Sequence, residues 1–185
     1  MQTPEHFIPW KLRADALFSD IYLPLVRCAP HKACPMKAIS VLLSADTSVT
    51  KPVFQAVTSC FRMFPDTVEG STHFSYVFDH ATAVAQISSG LFPEMHYWVF
   101  DEASGWVIDT SAVDQPTQAK DMLGVEWGKE FSHMPPFAVK HKDIDDDLTV
   151  YQADPNAIAV GLNVLRNLHQ EIGLNVPMIR RIYGH

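Results

Sequence analysis

The sequence lacks any run that approaches the roughly 18 consecutive apolar residues of a membrane helix. Its first residues, Met1–His6, have neither the basic start nor the apolar stretch of a signal peptide. We therefore expect a cytoplasmic protein without a membrane partner.

Cysteine and basic residues are both scarce. The 185 residues include three cysteines, Cys28, Cys34 and Cys60. An odd number without a leader argues against a disulfide framework, so at least one thiol is expected to be free. Asp and Glu number 21 against 14 Lys and Arg, which gives a formal net charge of −7. That balance argues against a nucleic-acid-binding surface.

The apolar content is that of a single packed domain. Hydrophobic residues make up 47% of the chain, and 11 Phe, 5 Tyr and 4 Trp supply large side chains for a core. The sequence shows no internal repeat, low-complexity tract or linker. We expect one α+β domain over residues 1–185, with N-terminal helices, a mostly antiparallel sheet and a closing C-terminal helix.

Hydrophobic spacing and helix-start signals locate the elements. Pro35 suits the first position of a helix, which would make Cys34 its N-cap, and Asp154 with Pro155 gives a second such start. Helices are predicted over 10–26, 34–45, 115–123 and 155–172, strands over 52–64, 73–78, 95–100, 105–111, 137–139 and 148–151, and segment 82–91 fits either type.

A predicted hairpin brings a histidine close to an aspartate. Both its strands are rich in aromatic and β-branched residues, and the turn lies around 101–105. With a loop of residues 101–104, Phe100 would pair with Gly105 and His96 would lie opposite Asp109. Opposed residues on one face have Cβ atoms about 5 Å apart, which places imidazole and carboxylate within hydrogen-bonding reach. A histidine oriented by an acid is two thirds of a nucleophilic triad.

Cys34 is the candidate nucleophile. A helix N-terminus stabilises a thiolate, and its backbone N–H groups could receive an oxyanion. His96 could take the thiol proton, and Asp109 would fix the imidazole tautomer. The alternatives are that Cys34 packs as a small apolar side chain, or that Cys28 is the nucleophile, although Pro30 and Pro35 make a helix from Cys28 through Cys34 awkward.

These residues, in this order, resemble the core of the transglutaminase-like superfamily, within the papain-like cysteine-enzyme fold. Cys34-Pro-Met-Lys-Ala38 is similar to the family's nucleophile helix, His96-Tyr97-Trp98 to its histidine motif, and Trp106-Val-Ile-Asp109-Thr110 to its aspartate motif. The resemblance covers residues 34–111. It implies a Cys34–His96–Asp109 triad, a nucleophile helix packed on the sheet, and a mechanism without a cofactor.

Two features depart from that pattern. Ala33 and Pro35 flank the cysteine, where family members often carry Trp or Gly. Papain-like enzymes often place an upstream Gln in the oxyanion hole, and no Gln lies between Arg13 and Pro52. The second departure favours a protein that keeps the fold without turnover.

Three further side chains are candidates for contact with a substrate. Trp98 and Trp106 could wall a groove, although core aromatics would look the same in sequence. His80 could line the same cleft or lie at the surface in a turn.

The leading hypothesis is a cysteine-dependent acyl-transfer enzyme, a peptidase, amidase or transglutaminase-like transferase, acting on a peptide, a protein or a small amide or ester. The first alternative is an inactive binding or regulatory module on the same fold. The second is a zinc site at Cys28-x-x-His31-x-x-Cys34, with a fourth ligand such as Cys60 or His80.

Overall fold

The computed structural model describes residues 4–25, 34–45, 52–62, 73–76, 78–91, 93, 95–115, 117, 120–121, 124, 138–144 and 149–171. The helices that these residues show over eight or more consecutive positions are α1 (Ile8–Leu17), α2 (Cys34–Ser44), α3 (His80–Ser88) and α4 (Pro155–Glu171). The strands are β1 (Pro52–Arg62), β2 (His73–Tyr76), β3 (His96–Asp101), β4 (Trp106–Ile108), β5 (Ala138–Lys140) and β6 (Thr149–Ala153). The predicted α+β class is confirmed.

The N-terminal helix begins earlier than the apolar spacing predicts. Pro9 lies in its first turn, where a missing N–H breaks no hydrogen bond. The chain continues through a π-helical turn, Phe18–Tyr22, and a 3-10 turn, Leu23–Leu25. The indole N–H of Trp10 donates to the Val41 carbonyl at 2.7 Å, which attaches α1 to α2.

Helix α2 carries the predicted inward stripe. Ala38, Ile39 and Leu43 are buried, and Leu42 is half-buried. Cys34 is the first helical residue and Pro35 the second, so the helix starts one residue before the predicted start and Cys34 is not its N-cap. The thiol still lies at the positive end of the helix dipole.

The strands among the described residues form one six-stranded antiparallel sheet. Strand β1 pairs with β2, β3 and β6, and the sheet continues from β3 to β4 and β5. Residues 82–88 of the ambiguous segment 82–91 belong to α3, which Asp79 caps by accepting from the Thr82 N–H at 2.7 Å. None of the described helices is both long and apolar enough to cross a membrane.

The hairpin register differs from the predicted one. Asp101 pairs with Trp106 and Phe100 with Val107, so the loop is 102–105 and not 101–104. The cause is Gly105, whose φ of +71° belongs to the turn and is unfavourable for other residues. The slip is an even number of residues, so Asp109 stays on the same face as His96 but lies diagonal to it rather than opposite.

Helix α4 begins as predicted. The Asp154 carboxylate accepts from the Asn156 N–H at 2.8 Å and from the Ala157 N–H at 3.2 Å. Its buried stripe comprises Ala157, Gly161, Leu165 and His169, whereas Ile158 and Leu162 are half-buried. A Cβ at Gly161 would overlap the Tyr97 ring, so the small-residue face of the helix approaches the sheet.

Candidate active site

The candidate nucleophile lies where the start of α2 meets the start of β3. Cys34 opens α2, and its Sγ–H donates to the carbonyl of Met95 at 3.2 Å. Met95 directly precedes His96 in the chain, so this contact places the sulfur beside the backbone of the histidine. The Cys34 side chain is 6% exposed.

His96 and Asp109 form a buried pair. The imidazole Nε2 lies 2.6 Å from the carboxylate Oδ2, and His96 has no exposed surface. A carboxylate at this distance accepts a hydrogen bond, so Nε2 carries a hydrogen and Nδ1 is the nitrogen left for Cys34. The predicted proximity of imidazole and carboxylate is confirmed, even though the predicted register was wrong.

The carboxylate of Asp109 is held from several sides. The Ser111 N–H and Oγ–H donate to Oδ1 at 2.8 and 2.9 Å, and the Tyr151 hydroxyl donates to Oδ2 at 2.7 Å. Burial raises the pKa of Asp109, but His96 and these hydrogen bonds outweigh it, so the pKa lies below the usual 3.8. Asp109 is therefore a fixed, ionised acceptor for the imidazole.

The environment of His96 favours its charged form. Burial lowers the pKa of the imidazole, but the charge and hydrogen bond of Asp109 oppose this, and Cys34 adds a hydrogen bond and a coulombic contribution in the same direction. Together they raise the pKa of His96 from 6.5 to about 10.

Gln115 is a member of the cluster that sequence reasoning missed. Its side chain is completely buried, with Nε2 3.3 Å from Nδ1 of His96 and 3.2 Å from the carbonyl oxygen of Ser111. It follows the 3-10 turn Ala112–Asp114, which returns the chain after Asp109 towards the histidine. No motif marks it, and Tyr151 was missed for the same reason, because both reach the site through tertiary contacts.

Trp98 lies beside the cluster. It is 3% exposed and packs edge-on against Tyr151, with ring centroids 5.0 Å apart. Its indole N–H is buried without a hydrogen-bond partner in the described part of the chain. Trp98 is thus a neighbour of the site with an available donor, and its contact with a substrate stays a prediction.

The structure does not bring Trp106 to the cluster. Trp106 pairs with Asp101 at the turn end of the hairpin, and five residues of strand, about 17 Å, separate Asp101 from His96. The Trp106 ring packs against Phe7 at 5.0 Å between centroids, with the Lys140 ammonium 4.8 Å above it. Contact of Trp106 with a substrate stays a prediction.

His80 lies at the start of α3 with an exposed side chain. Its ring packs edge-on against Phe78, with centroids 6.2 Å apart. His80 therefore lies at the surface, as the second of the two alternatives predicted, and its contact with a substrate stays a prediction.

Part of the alternative zinc site lies outside the described residues, namely Cys28 and His31. Among the residues that the structure does describe, no group of three or more His, Cys, Asp or Glu is arranged to hold a metal ion. Cys60 lies in β1, where it pairs with Ser75 and Val150.

Comparison with known proteins yields little. No family model matches the chain, and no curated protein matches it. Among solved structures, "The crystal structure of genomics APC5867" is 18% identical, and the match covers 91% of this chain and 73% of that chain with a TM-score of 0.49. That likeness assigns neither a family nor a function.

Proposed function

We propose that this protein is a cysteine-dependent acyl-transfer enzyme with Cys34 as nucleophile, His96 as general base and acid, and Asp109 as the group that orients His96. The observation that supports it most is the buried His96–Asp109 hydrogen bond of 2.6 Å, together with the influence of Cys34 in raising the pKa of His96. An acid that fixes the far nitrogen leaves the near nitrogen to exchange a proton with sulfur.

The proposed reaction begins with proton transfer from Sγ to Nδ1 of His96. The thiolate then attacks the carbonyl carbon of an amide or ester, and a carbon–sulfur bond forms. The oxyanion would lie at the start of α2, near the backbone N–H groups of Cys34 and Met36, whereas Pro35 has none to offer. As the tetrahedral intermediate collapses, the bond to the leaving amine or alcohol breaks and the leaving group takes the proton from Nδ1.

The thioester on Cys34 is then attacked by water or by an amine, with His96 accepting the proton of the attacking group. Attack by water makes the protein a peptidase, amidase or esterase, and attack by an amine makes it a transferase. Asp109 stabilises the imidazolium at each step in which Nδ1 carries a proton. We propose a peptide, a protein or a small amide or ester as the substrate, without a cofactor.

Thiol-directed labelling tests the assignment. We expect the folded protein to react at Cys34 with a small chloroacetamide probe, and labelling to be lost in Cys34→Ala. His96→Ala should slow the reaction at neutral pH because the thiolate loses its counter-ion. The matched controls are Cys28→Ala and Cys60→Ala, which should label like the wild type by intact mass spectrometry. Labelling that persists in Cys34→Ala, or is unchanged in His96→Ala, would contradict the proposal.

One observation favours a second candidate, an inactive binding or regulatory module. Cys34 is only 6% exposed and His96 is completely buried, whereas a catalytic site has to admit a substrate. For a binding module, the probe should label Cys34 only after denaturation. Labelling of the folded protein that saturates with probe concentration instead supports the enzyme.

A further inference from the structure

Cys34 and Gln115 have opposite effects on whether Nδ1 of His96 carries a proton. Asp109 fixes a hydrogen on Nε2, so the state of the pair depends on Nδ1, which lies 3.3 Å from the Gln115 amide nitrogen and is the ring nitrogen left for Cys34. A proton on Nδ1 gives the thiolate–imidazolium pair that attacks a carbonyl, and a lone pair there gives the neutral thiol.

The orientation of the Gln115 amide follows from its neighbours. The Ser111 carbonyl oxygen can only accept a hydrogen bond, and it lies 3.2 Å from Nε2 of Gln115. The amide group nearest to it must therefore be the NH₂. That same NH₂ lies 3.3 Å from Nδ1 of His96, so its second hydrogen is directed towards the imidazole.

An amide NH₂ beside Nδ1 favours a lone pair on that nitrogen. If Nδ1 acquires the thiol proton, two N–H donors face each other in a buried place, and the hydrogen bond from Gln115 is lost. In the described arrangement, Nδ1 instead faces the Gln115 NH₂ while the thiol donates to the Met95 carbonyl at 3.2 Å. Both contacts favour the proton on sulfur, in opposition to the Asp109 carboxylate, which favours the charged imidazole.

We infer that Gln115 is a positioning residue that shifts the Cys34–His96 equilibrium towards its neutral form, in opposition to the Asp109 carboxylate, and that its amide has to move away from Nδ1 when Nδ1 takes up the thiol proton. The inference rests on the proposed function, since it describes how that site is regulated. One proton passes from Sγ to Nδ1, and the intact Gln115 amide group moves away from Nδ1 without losing a proton.

The other groups around the pair act in the opposite direction or contribute no titrating charge near neutral pH. Burial keeps the hydroxyls of Tyr97 and Tyr151 protonated, because it raises their pKa values well above 10. Among the described residues, the titratable groups linked to this pair are Asp109 after β4, Tyr97 on β3, whose pKa Cys34 raises, and Tyr151 on β6, which donates to Asp109, while Lys37, further along α2, pairs with Asp114.

The test is Gln115→Met, which keeps the side-chain size and removes the donor. We expect the pH midpoint of iodoacetamide alkylation at Cys34 to fall by about one unit, a tenfold change in the ion-pair equilibrium that corresponds to one buried hydrogen bond. The matched control is Tyr22→Phe, which removes a buried hydrogen bond outside the cluster, to His169, and should leave the midpoint unchanged. An equal midpoint in wild type and Gln115→Met would overturn the inference.

A second variant covers the case in which Gln115→Met does not fold. Gln115→Glu keeps size and polarity but replaces the donor by an acceptor, so it should raise the pKa of His96 in a ¹⁵N NMR titration of histidine-labelled protein, with His96→Asn used for assignment. An unchanged titration of His96 would refute the role of Gln115. The NMR titration needs no enzymatic turnover. Loss of labelling at Cys34 in every variant counts against the proposed enzyme, whereas a His96 pKa that is the same in wild type and Gln115→Glu counts only against the proposed role of Gln115.

Discussion

His96 and His169 are both completely buried, and each forms a hydrogen bond with one side chain, Asp109 for His96 and Tyr22 for His169. Their pKa values nevertheless shift in opposite directions. Burial is the main influence on His169, whose Nε2 lies 2.9 Å from the Tyr22 hydroxyl, and it lowers the pKa to about 4. Burial acts on His96 in the same sense, but the Asp109 carboxylate and Cys34 reverse it.

The difference between the two histidines lies in the partner and not in the burial. A neutral hydroxyl can satisfy an imidazole nitrogen, but it does not compensate for taking a charge out of water. An ionised carboxylate does, so His96 is suited to proton transfer and His169 is suited to packing between α4 and the Phe18–Tyr22 turn.

The largest effect should come from removing the carboxylate. We expect Asp109→Asn to lower the pKa of His96 by about 1–3 units, because burial then acts without the opposing charge. The unfolding free energy should fall by about 3 kcal/mol, since a buried pair loses one partner. Histidine ¹⁵N NMR and urea denaturation measure the two effects.

Asp101→Asn is the matched control for that variant. Asp101 is also buried and lies on β3 with His96, but its carboxylate accepts from the Ala103 N–H and the Ser104 hydroxyl in the turn. It should destabilise the protein without moving the His96 titration. A His96 pKa that stays high in Asp109→Asn would mean that the carboxylate is not the cause of the shift.

The pH dependence of stability should separate the two histidines. The pKa of His96 is raised, so its contribution is complete below pH 6.5 and is lost as the pH rises towards about 10. The pKa of His169 is lowered, so its contribution is present above pH 6.5 and is lost as the pH falls towards about 4.

Urea denaturation between pH 4 and 10 measures the free energy of unfolding against pH. Its acid side (below pH 6.5) and its alkaline side (above pH 6.5) should each have a slope of at most about 1.4 kcal/mol per pH unit from one histidine. We expect His169→Gln to reduce the pH dependence on the acid side and His96→Gln to reduce it on the alkaline side. A reduction on the same side in both variants would contradict the opposite pKa shifts of the two histidines.

A smaller effect is expected from the hydroxyl that supports the carboxylate. Tyr151→Phe should cost about 2 kcal/mol at pH 7, because it removes a hydrogen bond to a charged group. The pKa of Asp109 is lowered, so this cost should shrink as the pH falls below 3.8 and the carboxyl becomes protonated. A cost that does not depend on pH would indicate lost packing instead.

The smallest effect is expected at the other histidine. Tyr22→Phe should cost about 1 kcal/mol, the contribution of a neutral buried hydrogen bond. The pKa of His169 should remain below 6.5, because burial is unchanged. A rise of that pKa to 6.5 or above would show that the hydroxyl, and not burial, sets it.

Local signals predicted most of the fold. Pro35 and Asp154 with Pro155 gave helix starts within one residue of those observed, and the apolar stripe of α2 is buried as expected. The hairpin was predicted from its strand composition, but its register depended on the positive φ of Gly105, which the residues of the turn alone did not reveal.

What the amino-acid sequence determined by itself is the set of elements and the approach of His96 to Asp109, since helix caps, turns and strand alternation act over a few residues. Only the tertiary structure decided which distant groups complete the site: Met95 beside Cys34, Tyr151 on the carboxylate and Gln115 on the imidazole. These contacts join residues from 19 to 61 positions apart, and no short-range pattern records them, because they depend on how the packed elements bring side chains together.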